Sequence, residues 1–462
     1  MSDIKNALIA RIQTSVQLAK SGGDAVPDIK SRKRALEKMF EVLRKYSDAA
    51  VSVLHEELGR VKYDSYIFEL LPLAGCIKYL KKNLHELAAE RKVKGSWFTF
   101  PARFSVVQQP YGMVFVNGCW NYPFLLALEP VAGAIAAGNR VVLKLSDRTP
   151  RCAALVRKIV EEVFQNDEVI CVQDELSAAE IVSLGCDCVF FTGSMAGAVE
   201  VAKAAAERFV PVIFELGGKN PCIIDSTANI STAVKRIAWG KFTNSGQTCI
   251  APDYLIVHKS IKKEFLNELT DEIRKVYGEN PLADSKCCKI VDSFAYERLN
   301  LMSKNGRLIA GGEKEPGERR ISPTVVDQLN EDDPLLTEEV FGPLLGVVGF
   351  GNEDELLRLL RRNPDPLAIY YFGDDTNIIN ILKSKTRSGA ICINDCLIQF
   401  SNKSVPFGGI GSSGVGAYHG SRTFSAFSFS RAVARQSKWF DFNLRYRGGR
   451  LKEKLAEYIF KH

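Results

Sequence analysis

Gly112-Met113-Val114-Phe115-Val116 is an apolar run opened by a glycine, and its reading decides the fold. A short run rich in β-branched and aromatic residues, with no alternation, fits a strand buried on both faces. Downstream, Glu129 to Ala137 reads as a helix and Arg140-Val141-Val142-Leu143-Lys144 as a second buried strand. Helix Cys152 to Phe164, strand Val169 to Val172, helix Ala178 to Leu184 and strand Cys188 to Phe191 follow. Strands alternating with helices about every 20–30 residues imply right-handed crossovers and a parallel, doubly wound sheet.

Upstream the period changes. Lys30 to Tyr46 and Ala50 to Leu58 carry apolar residues at helical intervals. Lys94 to Gln109, with the strand Ser105 to Gln108, reads as an inserted hairpin, and Phe424 to Arg435 as a strand to pair with it. A second strand-helix series begins near Val212 and runs to about Gly420. Its parts are Pro221 to Ile224, helix Ile230 to Phe242, Tyr254 to Val257, helix Lys262 to Tyr277, and strands Leu345 to Phe350 and Ala390 to Ile393. No short repeat is present. After Lys438 the chain becomes a basic tail bearing Trp439, Phe440, Phe442, Tyr446 and Phe460, with an amphipathic helix over Arg450 to Phe460.

The 61 basic and 54 acidic residues leave a net charge of +7, with no long block of one sign. Dispersed charge speaks to solubility and steering, not to nucleic-acid recognition, and a phosphate-bearing cofactor is sufficient as an anionic ligand. The 12 cysteines sit largely in apolar runs. Cys186/Cys188 and Cys287/Cys288 are too close for zinc-ligand spacing and only five histidines are available, so free thiols of a reducing compartment are expected and no metal. The first six residues contain no apolar signal segment, and Trp120 to Gly138 is broken by Asn121, Pro123, Glu129 and Pro130. The expected location is cytoplasmic.

Four segments carry chemistry. A nucleophilic cysteine needs access and a thiolate-favouring setting, and Cys249 follows Asn244-Ser245-Gly246-Gln247-Thr248, small and polar residues that suit an exposed thiol at a turn. Glu215 ends an apolar strand ahead of Gly217-Gly218, where burial raises a carboxylate toward the range of a general base. Asn121, between Trp120 and Tyr122, can present an amide donor to a developing oxyanion. Glu338-Glu339-Val340-Phe341-Gly342-Pro343 leads an acidic pair into an aromatic and a tight turn.

Together these segments resemble the aldehyde dehydrogenase superfamily. The matching motifs are Trp120-Asn121-Tyr122-Pro123, Phe191-Thr192-Gly193-Ser194, Glu215-Leu216-Gly217-Gly218-Lys219, Gly246-Gln247-Thr248-Cys249, Glu339-Val340-Phe341-Gly342-Pro343 and Pro406-Phe407-Gly408-Gly409. They stand in the family's order between about Phe104 and Gly420. Ile237 to Phe242, Ala251-Pro252-Asp253-Tyr254 and Ser413 to Gly420 are similar to the class 3 branch, which includes fatty-aldehyde enzymes.

The resemblance implies a nicotinamide-dependent oxidation of an aldehyde to its acid. Cys249 attacks the carbonyl, Asn121 and the Cys249 backbone N–H hold the oxyanion, and Glu215 activates water against the thioester. Lys144, Asp147, Gly193 and Ser194 contact the dinucleotide, with Glu339 and Phe341 at its nicotinamide end. Tyr122, Leu126 and Phe407 line the substrate pocket. Two departures stand out: Ala198 where the family has a glycine, and Asp147 where a glutamate is common. NAD is the expected cofactor, with NADP as the alternative.

The same resemblance divides the chain into a dinucleotide-binding domain (1–93 and 110–213), a catalytic domain (214–420), a β bridging and oligomerisation arm (94–109 and 424–436) and a tail (437–462). It implies a homodimer, with peripheral membrane contact through the tail as the less favoured option. Two alternatives remain: an acylating enzyme that passes the thioester to coenzyme A, against which Glu215 argues, and a non-catalytic binding homologue, against which the intact residue set argues.

Overall fold

A computed structural model describes residues 2–21, 26–283, 286–441, 446 and 448–462; Phe442 of the tail lies outside them. The first sheet has six strands in the order Gly414–Val415, Val212–Glu215, Cys188–Thr192, Met113–Asn117, Arg140–Lys144, Val169–Val172. All neighbours are parallel except the Gly414–Val415 edge. Met113–Val116 is fully buried, as the opening run demands. The chain winds first toward Val169–Val172, then returns past its start to Cys188–Thr192. Strand order therefore reverses between Met113–Asn117 and Cys188–Thr192, and in such sheets ligands bind outside the carboxyl ends at that switch point.

The second sheet has seven strands in the order Arg307–Ala310, Thr324–Asp327, Leu344–Phe350, Tyr254–His258, Pro221–Ile224, Ala368–Phe372, Ala390–Ile393, parallel except at the first. A third sheet joins Arg91–Val93, Arg103–Pro110 and Ser428–Arg435, all antiparallel. Its last strand is an edge, and seven of its eight residues are exposed. The N-terminal helix Ser2–Lys20 packs Leu8, Ile12 and Val16 against Met113 and Phe115.

Four expectations shift. Val212–Glu215 does not open the second series: the crossover helix Met195–Ala206 returns it to the first sheet, beside Cys188–Thr192. The boundary at 213/214 thus falls inside a strand, and Gly414–Val415 comes back to pair with it. Helix Leu125–Ala137 begins before Glu129, because Glu69 accepts the N–H groups of Phe124 and Leu125 at 3.1 and 2.8 Å. The hairpin's first strand, Arg91–Val93, precedes Lys94. Finally, Ser421–Ala426 is a short helix rather than strand. Its Thr423 packs so closely on Gly133 that a Cβ there would lie 2.4 Å from the Thr423 methyl. No helix among the described residues is long and apolar enough to cross a membrane.

Candidate active site

A cleft of about 460 Å³ opens at the switch point of the first sheet. It receives Asn121 and Glu215 from the carboxyl ends of first-sheet strands, and Cys249 and Glu339 from the loops leading into Tyr254–His258 and Leu344–Phe350. Helix Ile230–Phe242 stops at a turn in which Asn244, Ser245 and Gly246 all have positive φ, at 52°, 50° and 70°. Local hydrogen bonds hold this unusual run. The Gln247 amide donates to the carbonyls of Asn244 (3.1 Å) and Lys289 (3.0 Å), and its Oε1 accepts from Val291 N–H (3.0 Å). Asn220 donates to the Cys249 carbonyl at 2.7 Å.

The thiol faces the cleft half-buried. The small polar neighbours predict an exposed thiol, but burial, reinforced by the charges of Glu215 and Glu339, pushes its pKa up. Glu215 is 4% exposed and neither carboxylate oxygen has a hydrogen-bond partner among the described residues. Burial, with the charge of Glu129 adding to it, holds that carboxyl well above the usual range. A carboxyl with no internal partner is free to bind water. Asn121 gives one amide hydrogen to the Gln247 carbonyl at 3.1 Å, and the second remains for a ligand.

At the other end, Ser194 caps the twelve-residue helix Met195–Ala206 and accepts from Gly197 N–H, while Gly193 and Ser194 line the cleft. Lys144 and the exposed Asp147 form the opposite wall, and Lys144 donates to the Gln173 carbonyl. A helix N-terminus, an ammonium and a carboxylate along one groove fit a pyrophosphate flanked by a ribose. Ala198 is 3% exposed, packed in the first-sheet core and off the cleft. The close approach falls to Gly197, where a Cβ would lie 2.9 Å from the Phe191 ring.

Glu339 sits half-buried between the two ends and accepts from Gly218 N–H at 3.0 Å. Burial, with Asp253 adding, pushes it up to about 7. Phe341 meets Trp120 edge-on at 5.4 Å. Of the three pocket candidates, only Leu126 lines the cleft. Tyr122 lies behind it, its hydroxyl 2.7 Å from Thr248 Oγ1. Phe407 packs instead with Phe400 and Tyr418, at ring distances of 5.0 and 5.9 Å.

Sequence reading missed the buried charges that support these groups. Asp253 pairs with Lys219 at 2.7 Å and lies 3.7 Å from Lys241, and it accepts the N–H of Val340, next to Glu339. Arg60 and Glu69 form a second such pair, 2.8 Å apart. His419 Nδ1 and Glu129 Oε1 meet at 3.0 Å in a further buried polar contact. The available signal was a charge inside an apolar segment, as at Glu69 and Glu129.

The model of the Aldehyde dehydrogenase family matches residues 2–433. The 4,4'-diaponeurosporen-aldehyde dehydrogenase of Staphylococcus aureus is 36% identical over 408 residues, covering 88% of this chain and 89% of that enzyme. Aldehyde dehydrogenase family 3 member A2 of Mus musculus is 33% identical, covering 87% and 84%. The solved structure described as the substrate-bound state of Staphylococcus aureus AldH superposes with a TM-score of 0.92 at 32% identity, covering 100% of this chain and 99% of that one.

Proposed function

The chain belongs to the aldehyde dehydrogenase family and is an NAD(P)-dependent enzyme that oxidises an aldehyde to its acid; from that premise we propose that Cys249 is its nucleophile. The observation that carries the assignment is the shared cleft: a thiol and a buried carboxyl with two unpartnered oxygens open onto one space.

The Cys249 sulfur attacks the aldehyde carbon, and the thiol proton leaves to solvent. The developing oxyanion is met by the free hydrogen of the Asn121 amide and by the Cys249 N–H, donors already fixed before the charge appears. Glu339 and Phe341 would hold the nicotinamide end of the cofactor, which would supply the hydride acceptor needed for oxidation to a thioester on Cys249. Glu215 takes a proton from water, whose oxygen attacks the thioester carbon. The acid departs, and Cys249 returns as a thiol. Lys144, Asp147, Gly193 and Ser194 would hold the dinucleotide. Asp147 favours NAD, since its carboxylate accepts from ribose hydroxyls and repels a 2′-phosphate.

Leu126 in the cleft wall, together with the 4,4'-diaponeurosporen-aldehyde in the staphylococcal relative's name, supports an apolar aldehyde as substrate. Twelve free cysteines support a cytoplasmic location. The long unpaired edge of Ser428–Arg435 supports a homodimer. Acid quenching during turnover tests the nucleophile. The mass of one acyl group is expected on the peptide containing Cys249, and an adduct on another cysteine would refute it.

A further inference from the structure

Behind the cleft, Gly59 ends helix Ser47–Leu58 in a left-handed turn (φ 65°) and sends Arg60 into the interior, where it is 1% exposed. Its charge is met by Glu69 at 2.8 Å, a residue delivered by a π-helical turn over Tyr66–Leu70 and itself fully buried. The rest of the guanidinium does not serve this pair. Its Nη2 donates to the Asn121 carbonyl at 2.5 Å and to Asn244 Oδ1 at 2.9 Å, and its plane covers the Tyr122 ring at 4.8 Å. Asn244 then donates to the Asn121 carbonyl (3.2 Å) and to the Gln247 carbonyl (3.1 Å). Glu69 spends its other oxygen on the N–H groups of Phe124 and Leu125, just past Asn121.

One buried ion pair therefore grips two loops far apart in sequence, the one bearing Asn121 and the turn bearing Cys249. We propose that Arg60 and Glu69 are positioning residues that fix the oxyanion donor relative to the thiol. Neither touches the cleft, so they act only through Asn121 and the Asn244–Gln247 turn. Planar, forked donors suit this task; a lysine keeps the charge opposite Glu69 but cannot reach both loops. The inference rests on the oxyanion role given to Asn121.

A double-mutant cycle tests it. Asn121→Ala is expected to lower kcat about 100-fold, the usual loss for one oxyanion donor. Arg60→Lys is expected to lower kcat about tenfold, with the KM for NAD unchanged, by misplacing that donor. The double variant should lose clearly less than the product of the two single losses, since the amide that Arg60 places is gone and only its hold on the Cys249 turn remains to be lost. Losses that multiply would overturn the positioning role while leaving that of Asn121 intact. An Asn121→Ala enzyme at full speed would overturn both. If Arg60→Lys does not fold, Glu69→Gln carries the same cycle, with the same two readings.

Discussion

Gly246 and Gly342 touch: a Cβ on Gly246 would lie 2.2 Å from the Gly342 carbonyl oxygen. The turn that delivers Cys249 is thereby seated on the turn that follows Glu339, and only glycine allows the approach. Gly246 also holds φ at 70°, a conformation costing other residues roughly 1–2 kcal/mol. Gly246→Ala is expected to fold yet lose about 100-fold in kcat, because the displaced thiol misses the reacting geometry. Steady-state kinetics with Tm measured alongside check this. Unchanged turnover would show that the contact does not set the thiol's place.

Glu215→Gln separates the two halves of the reaction. As the proposed base for water attack, the carboxyl has no part in the first chemical step, so the first turnover should release about one equivalent of reduced cofactor as a burst. Steady turnover should then run at least about 100-fold slower than in the parent. The thiol should respond as well. Glu215 is the largest charge raising the Cys249 pKa, so its loss should move the pH profile of iodoacetamide alkylation to lower pH. Equal slowing of both steps, with no burst, would remove Glu215 from the role of base.

Glu339 titrates near neutrality, with its pKa raised to about 7. Ionised, it offers two acceptors to ribose hydroxyls; protonated, below pH 7, it offers fewer. Cofactor Kd, followed by quenching of Trp120 in the cleft wall, should therefore weaken as pH falls through 7. Glu339→Ala should weaken it about tenfold at pH 8, the worth of a hydrogen bond to a charged group, and flatten the pH dependence. A parental Kd in that variant would place the ribose elsewhere.

Much of this arrangement is legible in the sequence where a signal is local. Arg140–Lys144, Pro221–Ile224 and Ile230–Phe242 are found at the bounds their patterns predict, because burial on both faces and helical spacing leave a direct imprint. Glu215 and Cys249 stand out as candidates because an acid in an apolar strand and a thiol among small polar residues are both unusual. Arg60 is not legible, since its meaning lies with Asn244, 184 residues away. The polarity of the Cys249 surroundings misleads for a related reason. Gln247 and Asn244 turn their side chains into the turn's own hydrogen bonds, and burial and two carboxylates are left to set the thiol.

The edge strand Ser428–Arg435 makes the last prediction. It pairs with Arg103–Pro110 along its whole length on one side, and among the described residues its other side has no strand beside it. An unpaired edge of eight residues is a template for a second chain, and Phe429 and Val433, 40% and 39% exposed, are apolar groups a partner would cover. Covering two such side chains is worth roughly 1.5–3 kcal/mol each when burial is complete, and less from a half-exposed start. The double change Phe429→Asp, Val433→Asp is therefore expected to weaken dimer association at least about 100-fold. Neither residue lines the cleft, so the catalytic groups stay in place. Sedimentation velocity should show a dimer for the parent and a monomer for the variant at micromolar concentration. A parent that sediments as a monomer would leave the edge without its partner and refute the homodimer.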